Sequence, residues 1–124
     1  MAPPVRIVLV EDNQVFRETL ELLLGLRGDF DIVGSVATGP KAVEVCAELR
    51  PDVAIVDYRM PGLSGAQTTE AVREASPATR VVCLTASVSA AEVEELHAAG
   101  AAACVKKDEE LEQIVAAIHA VAGA

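Results

Sequence analysis

Pro51-Asp52-Val53-Ala54-Ile55-Val56-Asp57-Tyr58-Arg59-Met60-Pro61-Gly62 concentrates the signals of a central buried strand and of the chemistry at its end. A proline opens it, four apolar residues follow without alternation, and a carboxylate arrives just before a Pro-Gly turn. A short, largely β-branched run of this kind suits a parallel strand buried on both faces. Asp57 then stands at the carboxyl end of that strand, where open α/β sheets place their ligand sites. Asp is also common in turns for purely local reasons. On this stretch alone the chemical and structural readings balance, and partners elsewhere in the chain must decide.

Working outward, Val5 to Val10 reads as a first buried strand ended by Glu11-Asp12-Asn13. A helix follows from about Gln14 to Leu26, with Phe16, Leu20, Leu23 and Leu24 at helical spacing, Asn13 as N-cap and Gly28 as its stop. Asp31 to Val36 is a second strand. Thr38-Gly39-Pro40 opens a second helix, striped by Ala42, Val45, Cys46 and Leu49 and closed by Pro51. Beyond the Asp57 strand, Ser64 and Gln67 form a capping box for a third helix that ends before Ser76-Pro77. Arg80 to Thr85 is a fourth strand. Ser89 and Glu92 form another box, starting a helix that stops at Gly100. Ala101 to Lys106 is a weak fifth strand, its alanines low in β-propensity. Asp108 is expected to cap a last helix whose apolar face is Leu111, Ile114, Val115, Ile118 and Val121.

Five strand–helix pairs in unbroken alternation mean a parallel sheet covered on both faces, joined by right-handed crossovers. The expectation is one doubly wound α/β domain over residues 1–124, with no internal linker or repeat.

Composition narrows the function. Nineteen acidic against ten basic residues give a net charge of −9, which repels phosphate backbones and argues against direct nucleic-acid binding. It also disfavours anionic membrane surfaces. Despite 52% hydrophobic residues, no apolar run approaches the roughly 18 residues of a membrane span. Nor does Met-Ala-Pro-Pro-Val-Arg resemble a signal peptide, so a cytoplasmic location is expected. Cys46, Cys83 and Cys104 are odd in number, lack CxxC spacing and sit among apolar neighbours, as free buried thiols do. His97 and His119 have no metal-like partner at i+4 and read as helix-surface residues. Aromatics, at 2%, are too scarce for a base-stacking platform.

The strand ends carry the chemistry. Strand one ends in Glu11-Asp12, strand three in Asp57, strand four in Thr85 and strand five in Lys106-Lys107. A parallel sheet brings these ends to one edge. Three converging carboxylates repel unless a cation neutralises them. An all-oxygen set suits a hard divalent ion, Mg²⁺ above all because it keeps waters and a substrate phosphate. Thr85 and a lysine add a donor and a positive charge for phosphoryl oxygens, and Asp57 is then the nucleophile.

The motifs Val8-Leu-Val-Glu-Asp-Asn13, Val56-Asp-Tyr-Arg-Met-Pro-Gly-Leu-Ser-Gly65, Leu84-Thr-Ala86 and Val105-Lys-Lys-Asp108 together resemble the receiver domain of bacterial response regulators, across essentially the whole chain. Asp31 to Gly39 and the Lys-Asp pair further resemble the NarL/FixJ-type subfamily. The resemblance implies a flavodoxin-like (βα)5 fold in three layers, with strand order 2-1-3-4-5. It implies Asp57 as phosphoacceptor, Glu11, Asp12 and Asp57 as Mg²⁺ ligands with the backbone carbonyl of Arg59, and Thr85 as the switch hydroxyl. Aligning Ala99-Gly-Ala101 and Lys-Asp with the family's pattern selects Lys107 over Lys106, and strand alternation gives the two lysines opposite faces.

It also implies a histidine kinase as partner, a phosphorelay role, a switch surface on helix four, strand five and helix five, and no enzymatic turnover beyond phosphoryl acceptance and slow autodephosphorylation. A homodimer formed on phosphorylation fits the same pattern. So does a helix-turn-helix output domain of a transcriptional regulator, which does not lie within these residues. Two departures stand out. Cys104 occupies the place of the family's Tyr or Phe, so aromatic coupling to the switch is absent. Arg59 and Ser87 hold the positions flanking the phosphoryl group, and the long Arg59 side chain is expected to screen attacking water or pair with that group. The competing readings are a phosphorylation-independent pseudo-receiver and a haloacid-dehalogenase-like phosphatase. The latter expects its nucleophile on the first strand and a second Asp where Arg59 stands.

Overall fold

The computed structural model describes residues 3–86 and 89–123, so Ser87 lies outside the described residues. Along the chain run β1 (Val5–Val10), α1 (Gln14–Gly25), β2 (Phe30–Val36), α2 (Gly39–Leu49), β3 (Val53–Asp57), α3 (Gly65–Ala75), β4 (Arg80–Thr85), α4 (Ala90–Ala98), β5 (Ala103–Lys106) and α5 (Leu111–Ala122). The five strands are parallel and ordered β2-β1-β3-β4-β5. The doubly wound parallel sheet is the one the alternation predicts, and its strand order is the one the resemblance implies.

The two-residue period of a strand divides the core in two. Ile7, Leu9, Val53, Ile55, Val82 and Leu84 face Leu20, Leu24, Ile114 and Ile118 on the α1 and α5 side. Val8, Val10, Ala54, Val56, Val81 and Cys83 face Ala42, Cys46, Val72 and Leu96 on the α2, α3 and α4 side. All five residues of β3 are buried, as its unbroken apolar run requires.

The loop after β3 is built for close approach. Ser64 and Gln67 complete a reciprocal capping box at the start of α3. A Cβ on Gly65 would stand 2.5 Å from the Tyr58 Cα and 2.6 Å from the Asp57 carbonyl, so only glycine lets α3 start this close to the strand end. Gly62 takes φ +81°, completing the turn.

Several boundaries differ from the sequence expectation. α1 stops at Gly25 with Leu26 as C-cap rather than running to a stop at Gly28. Of its expected stripe, Leu20 and Leu24 are buried while Leu23 is exposed. Arg50, in the left-handed region at φ 48°, closes α2 just ahead of Pro51. β5 begins at Ala103, two residues late, although the Ala102 N–H already bonds the Val81 carbonyl.

Asp108 does not cap α5. Glu110 stands at the cap position without a side-chain hydrogen bond. The cause is the turn after β5: the Glu109 N–H donates to the Lys106 carbonyl, and this consumes Asp108 before the helix begins.

Candidate functional site

Register assembles the site. Val10 pairs with Val56, so Glu11 and Asp57 leave β1 and β3 side by side. Asp57 pairs with Leu84 and Thr85 with Lys106, which brings the ends of β4 and β5 to the same edge. The Lys107 N–H donates to the Thr85 carbonyl at 2.9 Å. Glu11, Asp57 and Thr85 are buried, and Asp12 is exposed beside them.

The two lysines separate as alternation requires. Lys106 is exposed. Lys107 turns inward, its Nζ 2.6 Å from Glu11 Oε1 and 3.5 Å from Asp57 Oδ2. Its ammonium also lies 4.6 Å from the centroid of the Phe16 ring, a cation–π contact from α1. Burial alone would lower the Lys107 pKa, but the Glu11 hydrogen bond and the charges of Asp57 and Glu11 outweigh it and raise it.

Burial, then the neighbouring Glu11 carboxylate, pushes the Asp57 pKa up to about 7, against the lowering influence of Lys107 and of the Arg59 backbone N–H. One ammonium is therefore insufficient for the negative charge gathered here. Glu11, Asp12 and Asp57 each offer an oxygen, all within 4.8 Å of one another. A hard divalent cation fits this crowded all-oxygen set, because its charge would offset both the burial and the Glu11 repulsion that raise Asp57.

The Arg59 guanidinium reaches across to α4. Nη2 sits 3.2 Å from Glu92 Oε1 on α4. One residue earlier, the Tyr58 hydroxyl reaches Glu95 Oε1 at 3.5 Å. Both glutamates lie more than 30 residues along the chain from this loop, so no local pattern in the sequence pairs them with it. The Arg17 guanidinium donates to the Glu11 carbonyl at 2.7 Å.

Cys104 is half-buried on β5, its Sγ 4.0 Å from His97 Nε2. Burial raises its pKa, which keeps it a thiol. Burial also pushes Cys46 to about 11 and Cys83 to about 12, and all three cysteines are free. His97 and His119 are exposed on their helices as expected. His119 is not merely solvated, since it bonds Asp29 Oδ2 at 2.6 Å and stacks on Phe30.

The family description "response regulator receiver domain" matches residues 7–119. The chain belongs to that family. This receiver domain is 40% identical over 114 residues to the probable transcriptional regulatory protein NarL of Mycobacterium tuberculosis, covering 92% of this chain and 53% of the relative. It is 30% identical over 119 residues to the nitrate/nitrite response regulator NarL of Escherichia coli, covering 96% and 55%. It thus spans about half the length of these relatives. Among solved structures, the signal receiver domain of the putative response regulator NarL from Mycobacterium tuberculosis superimposes with a TM-score of 0.94 at 37% identity, covering 99% of both chains. A LuxR-family two-component response regulator from Aurantimonas sp. SI85-9A1 gives 0.91 at 28% identity, covering 97% of this chain and 86% of that one. Among the described residues, no helix is long and apolar enough to cross a membrane.

Proposed function

We infer that this receiver domain accepts a phosphoryl group on Asp57 from a histidine kinase and thereby controls the output of a DNA-binding transcriptional regulator in the cytoplasm. The observation that carries this is the buried Asp57 carboxylate set between Glu11 and Lys107 at the C-terminal edge of the sheet. Asp57 attacks phosphorus in line; the new O–P bond forms as the N–P bond of the phosphohistidine breaks, and the imidazole leaves with the electron pair.

Lys107 holds its proton and stabilises the negative charge on the phosphoryl oxygens. Thr85, at the end of β4, supplies a hydroxyl donor to the same oxygens. Glu11, Asp12 and Asp57, with the Arg59 carbonyl, would hold Mg²⁺, which neutralises phosphoryl charge when bound. Glu11 also keeps Lys107 in place through the 2.6 Å ion pair. Slow hydrolysis of the aspartyl phosphate returns the domain to its resting form, and no free phosphate ester is turned over. The surface of α4, β5 and α5 carries the response, including a homodimer formed on phosphorylation.

The test is mass spectrometry after treatment with acetyl phosphate and Mg²⁺. The wild type gains one phosphoryl group and Asp57→Ala gains none. A wild type that stays unmodified would overturn the proposal in favour of a phosphorylation-independent interaction module.

A further inference from the structure

The surroundings of Arg59 answer a question that Cys104 raises: what couples Asp57 to the output face when no ring stands on β5. Arg59 stands two residues beyond Asp57 in the loop that leaves β3, so any group added to Asp57 arrives next to this residue. Its guanidinium meanwhile crosses to the first turn of α4 and pairs with Glu92. The sequence expects Glu92 to complete a capping box with Ser89. The structure keeps the Ser89 half, with the Glu92 N–H donating to Ser89 Oγ at 3.1 Å, while the carboxylate turns to Arg59.

That arrangement is only half satisfied. The Glu92 side chain is 18% exposed against 72% for Arg59, and Glu92 Oε2 is buried without a hydrogen-bond partner among the described residues. An acceptor held this way loses little when its partner leaves, provided the helix turn can shift and let water in. A cleft of about 470 Å³ between the loop and α4, lined by Tyr58, Arg59, Met60, Pro61, Ser64 and Glu92, leaves room for the guanidinium to swing.

We propose that Arg59 is a positioning residue that exchanges partners, held by Glu92 while Asp57 is a carboxylate and by the phosphoryl group once Asp57 carries one, so that phosphorylation frees the first turn of α4. The proposal rests on Asp57 as phosphoacceptor. A phosphoryl group brings close to two negative charges and three acceptor oxygens. Guanidinium binds such a group through two parallel hydrogen bonds, which the single-oxygen contact with Glu92 does not match. The Arg59–phosphoryl contact exists in one state only, which is what a ligand-driven population shift requires. Once there, Arg59 also covers phosphorus from attacking water.

The exchange makes Glu92 and Arg59 act with opposite sign on aspartyl-phosphate lifetime, which a merely structural contact does not do. After acetyl phosphate and Mg²⁺, Glu92→Gln should lengthen the lifetime and Arg59→Gln shorten it, each by roughly fivefold, the low end of ordinary site-to-site coupling. Arg59→Lys, which keeps the charge but not the fork, should fall between Arg59→Gln and wild type. Hydrogen exchange of the first-turn α4 amides should quicken on phosphorylation of the wild type and be already quick in unphosphorylated Glu92→Gln. Lifetimes that move together, or not at all, in the two variants would overturn the exchange while leaving Asp57 as phosphoacceptor. A wild type that gains no phosphoryl group overturns both.

Discussion

The two ends of the sheet solve the same problem in opposite ways. At the N-terminal edge of β3 and β4, buried hydroxyls are fully engaged: Ser76 and Thr79 share a 2.6 Å hydrogen bond, and Thr79 Oγ1 donates to the Pro51 carbonyl at 2.7 Å. The Arg73 guanidinium closes the same corner on the Pro77 and Thr79 carbonyls, both at 2.8 Å. At the C-terminal edge, buried Glu11 and Asp57 share one ammonium, and Asp57 is left near pKa 7. Buried polar groups with complete protein partners hold a fold together, whereas those left short of charge mark where something else must bind. One edge is finished, and the other, on the function proposed, would take a cation and a phosphoryl group.

Breaking the charged edge should give the largest effect. Lys107→Met removes the ammonium paired with both Asp57 and Glu11, and should slow phosphoryl acceptance from acetyl phosphate by about a hundredfold, the usual cost of losing one oxyanion donor. Mass spectrometry over a time course measures it, and acceptance at the wild-type rate would remove Lys107 from the mechanism.

Filling that edge should instead stabilise. Mg²⁺ at a hundred times its dissociation constant should add about 2.7 kcal/mol to urea unfolding of the wild type, with much less gained by Asp12→Asn. Without divalent ions the sign of the pH dependence follows from Asp57. Its folded pKa, about 7, lies above the ordinary 3.8, so the folded state binds the extra proton. The stability this contributes is complete below about pH 4 and is lost as pH rises through 7. Urea unfolding in EDTA at pH 5 and pH 8 should show that loss, and Asp57→Asn should flatten it. A wild type equally stable at both values would contradict the raised Asp57 pKa.

The finished edge should tolerate no such gain. Thr79→Val leaves the Ser76 hydroxyl and the Pro51 carbonyl short of their partner, and should cost about 2 kcal/mol in urea unfolding with phosphoryl acceptance unchanged. The smallest effect belongs to Lys106→Gln. Being exposed, it should change stability by less than about 0.5 kcal/mol and leave the acceptance rate as it was, which sharpens the distinction from Lys107.

Much of this was legible in order along the chain. The Val53-to-Val56 run marks the central strand because a doubly buried strand has no polar face to show. Lys107 separates from Lys106 because alternation is a local rule. Asp108 misled because cap preference is also local, whereas the turn that displaced it is set by the pairing of β5 with β4. His119 looked solvated because its partner Asp29 lies 90 residues away.

By itself, then, the sequence determined the order of elements and which side chains end each strand, since hydrophobic period and chain direction dictate both. How those ends act on one another follows from the packed sheet: Asp57 is raised to about 7, Lys107 serves two carboxylates at once, and Arg59 is held by Glu92. Charges couple through distance and burial, and neither exists until the sheet has assembled.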